Sequence, residues 1–385
     1  MKPLNSHLFS TIICCGLPLA GLLVPQTVHA ATWQADAGVQ SDDMGRQGLA
    51  FLPNELWIHA GDNITWTFPG DEIHTVSFLT FSQLRPVGPH RNDVITPDVP
   101  IPGFDGSSYV NSGDQCATPA TCPPAVSNTY TVNFPTAGNF KLVCLVHLYM
   151  NGTIHVLSPT AALPHDQAFY DRQATAQSDR LLEALKDQAK ELGHRGDDEQ
   201  EDATADRVIA GPGEIVATGA GFQAASVMRF SPDTTTVHVG QTVEWTNIDP
   251  QTPHTITFGV DPAMLRFPIP IVSSGVGVKS TLDPDGALHA TVNLPTDNVY
   301  SGQIFSLPAD RAVNGPNADL PPNTSCSTSP PSACNPSDLS QYPLPVVVKD
   351  VNQRYRVTFT HTGTFNYHCT LHDNLGMLGQ VNVVP

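Results

Sequence analysis

Three stretches of the chain alternate apolar and polar residues strictly. Ile64, Trp66 and Phe68 do so, Tyr130, Val132 and Phe134 alternate with Thr129, Thr131 and Asn133, and Tyr355, Val357 and Phe359 alternate with Arg354, Arg356 and Thr358. A period of two is that of a strand with one buried face, and Gly, Pro and Asp turns bound these runs. The pattern predicts an all-β chain built as Greek-key β-sandwiches. One stretch departs from it. SDRLLEALKDQAKELG sets Leu181, Leu185 and Leu192 on one helical face, with Gly193 expected to end the helix. Residues 166–207 around it hold twelve acidic and six basic residues. That composition suits a helical spacer with an acidic, flexible tail.

The chain also aligns with itself. Residues 51–78, FLPNELWIHAGDNITWTFPGDEIHTVSF, match 230–258, FSPDTTTVHVGQTVEWTNIDPQTPHTITF, with one extra residue in the second copy. The match superposes Gly61 on Gly240, Trp66 on Trp245 and His74 on His254. A later block, NTYTVNFPTAGNFKLVCLVH, matches QRYRVTFTHTGTFNYHCTLH and superposes Cys144 on Cys369 and His147 on His372. A repeat of this size is a duplicated domain. The expected organisation is a leader over 1–30, a first β-sandwich over 31–158, a helical acidic linker over 159–212, and a second β-sandwich over 213–385.

The leader reading rests on Lys2, an apolar stretch from about Leu8 to Val24, and the small-residue pattern Val28-His29-Ala30. Pro18, Pro25 and the shortness of the run argue against a spanning helix. An exported protein, periplasmic or secreted and without stable membrane insertion once the leader is removed, is therefore expected. Cysteine usage agrees. Of eight cysteines, Cys14 and Cys15 leave with the leader, and Cys144 and Cys369 belong to the repeated motif. Cys116 with Cys122 and Cys326 with Cys334 remain, close pairs in Pro/Ser/Thr-rich insertions that read as loop-stapling disulfides. The formal charge of −18 and the lack of a basic run argue against a nucleic-acid partner and leave room for a basic redox partner.

The repeated motif carries the chemistry. Each copy ends in Cys-x-x-His followed by Met: Cys144, His147 and Met150 in the first, Cys369, His372 and Met377 in the second. Each copy also supplies a histidine from far upstream, His74 or His254. One thiolate, two imidazoles and a weak thioether form the donor set of a blue copper site. These eight residues are the expected metal ligands, for two copper ions per chain. His59 and His238 also superpose, but sit mid-strand and are assigned no metal role.

The second copy, with GQTVEWTNIDPQTPHTITF and YHCTLHDNLGM, resembles the plastocyanin group of the cupredoxins. The first, with VCLVHLYMNG, is similar to the shorter amicyanin-type loop. The resemblance covers roughly 50–80, 125–157, 227–260 and 350–385. It implies a one-electron carrier with a type 1 copper in each domain, working with redox partner proteins. It also implies that His147 and His372 are partly exposed and act as electron ports.

Three departures from the pattern bear on the sites. Val146 and Leu371 stand where a proline usually precedes the loop histidine, so each brings a backbone N–H expected to reach the cysteine sulfur and lower the potential. Thr75 and Thr255 replace a common asparagine and are expected to tie the two ligand loops together by their hydroxyls. Glu72-Ile73 in the first copy lacks the proline of the second copy's histidine turn.

An enzyme is the main alternative. None of the 15 histidines lies two residues from another, so the His-x-His pairs of a trinuclear oxidase are missing. A nitrite-reductase type with an added type 2 copper has one hint, His368 beside Cys369. A copper storage or delivery protein would favour Met-rich tracts, and the chain has six Met.

Overall fold

The computed structural model describes residues 30–79, 101–118, 127–147, 149–198, 206–260, 280–304, 306 and 353–385. The first part of the chain forms β1 (Thr32–Gln40), β2 (Arg46–Leu52), β3 (Glu55–His59), β4 (Asn63–Thr67), β5 (Ser77–Phe78), β6 (Val110–Asn111), β7 (Thr129–Asn133), β8 (Gly138–Val143) and β9 (Asn151–Leu157), then the helix α1 (Gln167–Asp198). The second part forms β10 (Asp206–Ala210), β11 (Gly213–Thr218), β12 (Gly221–Val227), β13 (Phe230–Ser231), β14 (Thr234–His238), β15 (Thr242–Thr246) and β16 (Thr257–Phe258). It continues with β17 (Thr281–Leu282), β18 (Leu288–Val292), β19 (Val299–Tyr300), β20 (Arg354–Phe359), β21 (Gly363–His368) and β22 (Leu378–Val384).

These strands make four sheets, two per sandwich. The first sandwich pairs the order β11-β12-β2-β1-β4-β7 with β3-β9-β8-β5-β6, and the second pairs β13-β10-β15-β20-β18-β17 with β14-β22-β21-β16-β19. The duplication read from the sequence is visible in the ladders. β1 runs parallel to β4 as β10 does to β15, and β3 runs parallel to β9 as β14 does to β22. The strands with period two bury the faces expected of them: Ile64, Trp66, Tyr130, Val132, Tyr355, Val357 and Phe359 all point into the cores. Trp66 meets Phe78 in the first core, and Trp245 meets Phe258 and Tyr367 in the second.

Strand pairing crosses the boundary expected at residue 212. β10 falls in the stretch assigned to the linker, yet it is the first strand of the second sandwich. The β11–β12 hairpin falls in the stretch assigned to the second domain, yet β12 pairs with β2 of the first, Ala224 opposite Leu49 and Ser226 opposite Gln47. The aligned repeat blocks start only at residue 230, after both elements, so they do not mark where β10 or the hairpin pairs.

The linker helix is not a free spacer. Asp166 caps it, its Oδ1 accepting the Phe169 N–H at 2.9 Å. Leu181 and Leu185 are fully buried among Ala50, Leu52, Ala225 and Val227. Trp57 N–H donates to Tyr170 Oη at 2.9 Å, fixing the start of the helix on the first sandwich. Gly193 does not end it, since the helix runs to Asp198. A glycine inside a helix costs only about 1 kcal/mol relative to alanine. The side chain of Leu192, the leader with Cys14 and Cys15, and Cys122, Cys326 and Cys334 all lie outside the described residues. Both disulfide pairings therefore stay expectations; Cys116 itself is buried. Among the described residues no helix is long and apolar enough to cross a membrane.

Candidate metal centres

Each sandwich gathers its donors at one end by the same construction. In the first, Cys144 follows β8, Met150 precedes β9, and the turn between them closes with Cys144 N–H donating to Met150 O at 2.9 Å. His74 comes from the neighbouring edge, held by a two-way backbone bridge to Gln115 with both bonds at 2.9 Å. In the second, Cys369 follows β21, Met377 precedes β22, and Cys369 N–H donates to Met377 O at 3.0 Å. The longer loop there is filled by a 3-10 turn, Asp373–Leu375, ended by Gly376 at φ 87°. His254 is bridged to Ile304 as His74 is to Gln115.

The donor atoms converge. His74 Nδ1 and His147 Nδ1 are 3.1 Å apart, and His147 Nδ1 is 3.8 Å from Cys144 Sγ. In the second centre Cys369 Sγ lies 4.0 Å from His254 Nδ1 and 3.4 Å from His372 Nδ1. A first-row ion bound at about 2.0 Å by nitrogen and 2.3 Å by sulfur in a trigonal plane spaces its ligand atoms by about 3.5–3.8 Å. The distances in the two triads, 3.1–4.0 Å, fall on both sides of that spacing, so shifts of a few tenths of an ångström would bring the atoms onto one ion. The sets His74, Cys144, His147 and His254, Cys369, His372 are fully buried, and among the described residues they are the two clusters of such side chains close enough to hold a metal. Met150 and Met377 are also buried, in the same cores as Cys144 and Cys369.

Electrostatics prepare both cysteines as thiolates. Burial opposes the charge on Cys144, but hydrogen bonds from His147 and His74 outweigh it and hold the thiol well below its ordinary range. Cys369 is lowered in the same way, against burial, first by the charge of His372 and then by hydrogen bonds from His254 and His372. The backbone adds donors to sulfur: Thr75 N–H at 3.4 Å and His147 N–H at 3.4 Å for Cys144, and Thr255 N–H at 3.3 Å for Cys369.

Two expectations need correction here. The N–H groups of Val146 and Leu371 are not the sulfur donors. In the first loop the donor is one residue later, at His147; in the second, His372 N–H turns to the backbone carbonyl of Cys369 at 3.0 Å. The tight turn that closes each loop takes the preceding amide away from the sulfur. Nor are the loop histidines exposed: His147 is 2 % and His372 4 % accessible. The ends of the two sandwiches that carry the ligand loops face each other, which covers both rings.

The threonine expectation holds. Thr75 Oγ1 accepts Leu145 N–H at 2.8 Å, and Thr255 Oγ1 accepts Thr370 N–H at 2.8 Å, each tying the upstream histidine strand to the residue after the cysteine. His368 ends β21, opposite Thr257 and Leu378, and belongs to neither triad.

Three supporting residues escaped the sequence reading. A side chain at Gly38 would come within 2.3 Å of His74 Nε2, and one at Gly211 within 2.3 Å of His254 Nε2; both glycines have positive φ, 86° and 68°. They occupy equivalent places, because Ala35 pairs with Trp66 as Val208 pairs with Trp245. The duplicated Ala-Gly at 37–38 and 210–211 was the available signal. The third is Glu72. Its Oε1 lies 3.2 Å from His147 Nε2 and its Oε2 lies 3.8 Å from His372 Nε2. Burial works against its ionisation, but the hydrogen bond from His147 and the charges of His372, His147 and His74 hold its carboxyl down at about 2.

No family model matches the chain, and no curated protein does. Solved structures of cupredoxins do. A reduced Cu(I) form of an amicyanin variant at pH 4 is 16% identical over 33% of this chain and 82% of its own, with a TM-score of 0.21. A fern plastocyanin variant is 16% identical over 46% of this chain and 99% of its own, with a TM-score of 0.19. A purple cupredoxin from Nitrosopumilus maritimus is 18% identical over 46% and 98%, with a TM-score of 0.19. The two donor sets, not these likenesses, carry the functional reading below.

Proposed function

We propose that this chain is an exported one-electron carrier holding a blue, type 1 copper in each sandwich. His74, Cys144, His147 and Met150 would hold one ion, and His254, Cys369, His372 and Met377 the other. The observation that carries the reading is the duplicated, buried triad of two imidazoles and a thiolate, each with a buried methionine at the end of its ligand loop. A trigonal His2Cys set with a weak thioether suits both oxidation states of copper, so little rearrangement accompanies gain or loss of one electron. The chain supplies the rigidity. Ligands hang from strand ends, the threonine hydroxyls lock the loops to one another, and Gly38 and Gly211 let the backbone press against the upstream histidines. The negative charge of the chain favours a basic partner as donor or acceptor.

Copper titration of the mature chain tests this. Two equivalents are expected, with an intense visible thiolate-to-copper band, and Cys144→Ser and Cys369→Ser should each remove one equivalent together with its share of the band. Uptake without that band, or uptake indifferent to both substitutions, contradicts the reading.

A further inference from the structure

In both loop histidines Nδ1 faces the metal-binding triad and Nε2 faces away, toward the other sandwich. A nitrogen that holds a metal carries no proton, so the ring proton sits on Nε2. The outward nitrogens of His147 and His372 thus both present N–H groups to the junction between the domains. One side chain stands between them. Glu72 is buried, takes a hydrogen bond from His147 at 3.2 Å with one oxygen, and sits in charge contact with His372 at 3.8 Å with the other. The carboxylate belongs to the first sandwich alone, since the second copy has Thr252 at the matching place. Other contacts hold the junction in register. Tyr149 N–H donates to Gln251 Oε1 at 2.8 Å, and Arg229 spans the domains by donating to Leu375 O and to Asp43 O, each at 2.6 Å.

We propose that Glu72 bridges the two centres through the outer nitrogens of His147 and His372, making them one internally connected electron-exchange unit rather than two independent carriers. This rests on the copper reading above. The exchange moves one electron from Cu(I) at one centre to Cu(II) at the other. Each histidine keeps its Nε2 proton, and no bond forms or breaks. The bridge has a second effect, because one fixed negative charge beside both loop histidines favours Cu(II) over Cu(I) at both centres. A substitution in the first domain must therefore be felt in the second.

The test uses the full copper-loaded chain. In a Cys144→Ser background, which leaves the second centre alone, Glu72→Gln should raise that centre's potential, shifting its oxidised-to-reduced ratio about tenfold, or 59 mV for one electron. In the chain with both coppers, Glu72→Gln should slow electron redistribution between the centres after pulse reduction by about tenfold or more. Glu72→Asp, which keeps the charge but shortens the reach, should preserve the potentials far better than the exchange rate. An unmoved potential at the second centre, or an exchange rate unchanged in both variants, overturns the bridge. A parent chain that fails to take up two coppers would instead overturn the functional reading, so the two failures are distinguishable.

Discussion

Thr255 is fully buried beside the second centre, and its hydroxyl accepts the N–H of the partly buried Thr370. Thr255→Val keeps the shape and strands that N–H, which costs about 1–3 kcal/mol. The expected outcome is a lower melting temperature for the metal-free protein and weaker copper retention at the second centre only, read by thermal unfolding and copper titration. Asp114 offers a test by pH. Burial, and then the charge of Cys144, push its carboxyl up from 3.8 to about 7, and its Oδ1 has no hydrogen-bond partner among the described residues. Folding therefore disfavours the ionised form. The penalty is absent below pH 3.8, grows as pH rises toward 7, and is complete above it. Asp114→Asn should leave the metal-free protein unchanged at the acid end and stabilise it above neutrality by up to about 4 kcal/mol, measured by denaturant unfolding across pH. At this scale the sequence disclosed the residues that the structure gathers into two candidate triads, and the threonine ties, because both recur in register. Glu72 escaped it because it has no counterpart in the other copy, and the sulfur's amide donors escaped it because turn geometry decides which N–H points inward.

At the scale of elements, α1 and the β11–β12 hairpin share a small core of their own on the first sandwich. Leu181 and Leu185 are its fully buried members from the helix, so Leu181→Ala or Leu185→Ala should cost about 2–5 kcal/mol in chemical denaturation. A freely tethered spacer would lose almost nothing on either change. Alternation of period two exposed the central strands directly, since their two faces meet such different surroundings. The hairpin was harder to read: β12 buries Ala224, Ala225 and Val227 between a sheet and a helix, so small residues replace the strong alternation of the central strands. The first strand of the second sandwich, β10, was hidden by the acidic composition that precedes it.

At the scale of the molecule, the two sandwiches meet through the ends that carry the ligand loops. Ligand-loop residues take part directly, Tyr149 reaching Gln251 and Arg229 holding Leu375. The duplication visible in the sequence predicted two sites but not their orientation, because relative placement depends on the hairpin, Arg229 and Glu72, none of which is repeated. Both loop histidines are buried in the junction, so under the proposed electron-carrier function exchange would run inward and a redox partner would have to approach by another surface. The most direct test of two type 1 centres in one chain is a spin-quantified EPR spectrum of the oxidised, copper-loaded mature protein. Two type 1 signals per chain, each with the narrow hyperfine pattern of a copper–thiolate bond, are predicted. One type 1 signal accompanied by one type 2 signal would contradict the account and return His368 to consideration as a ligand.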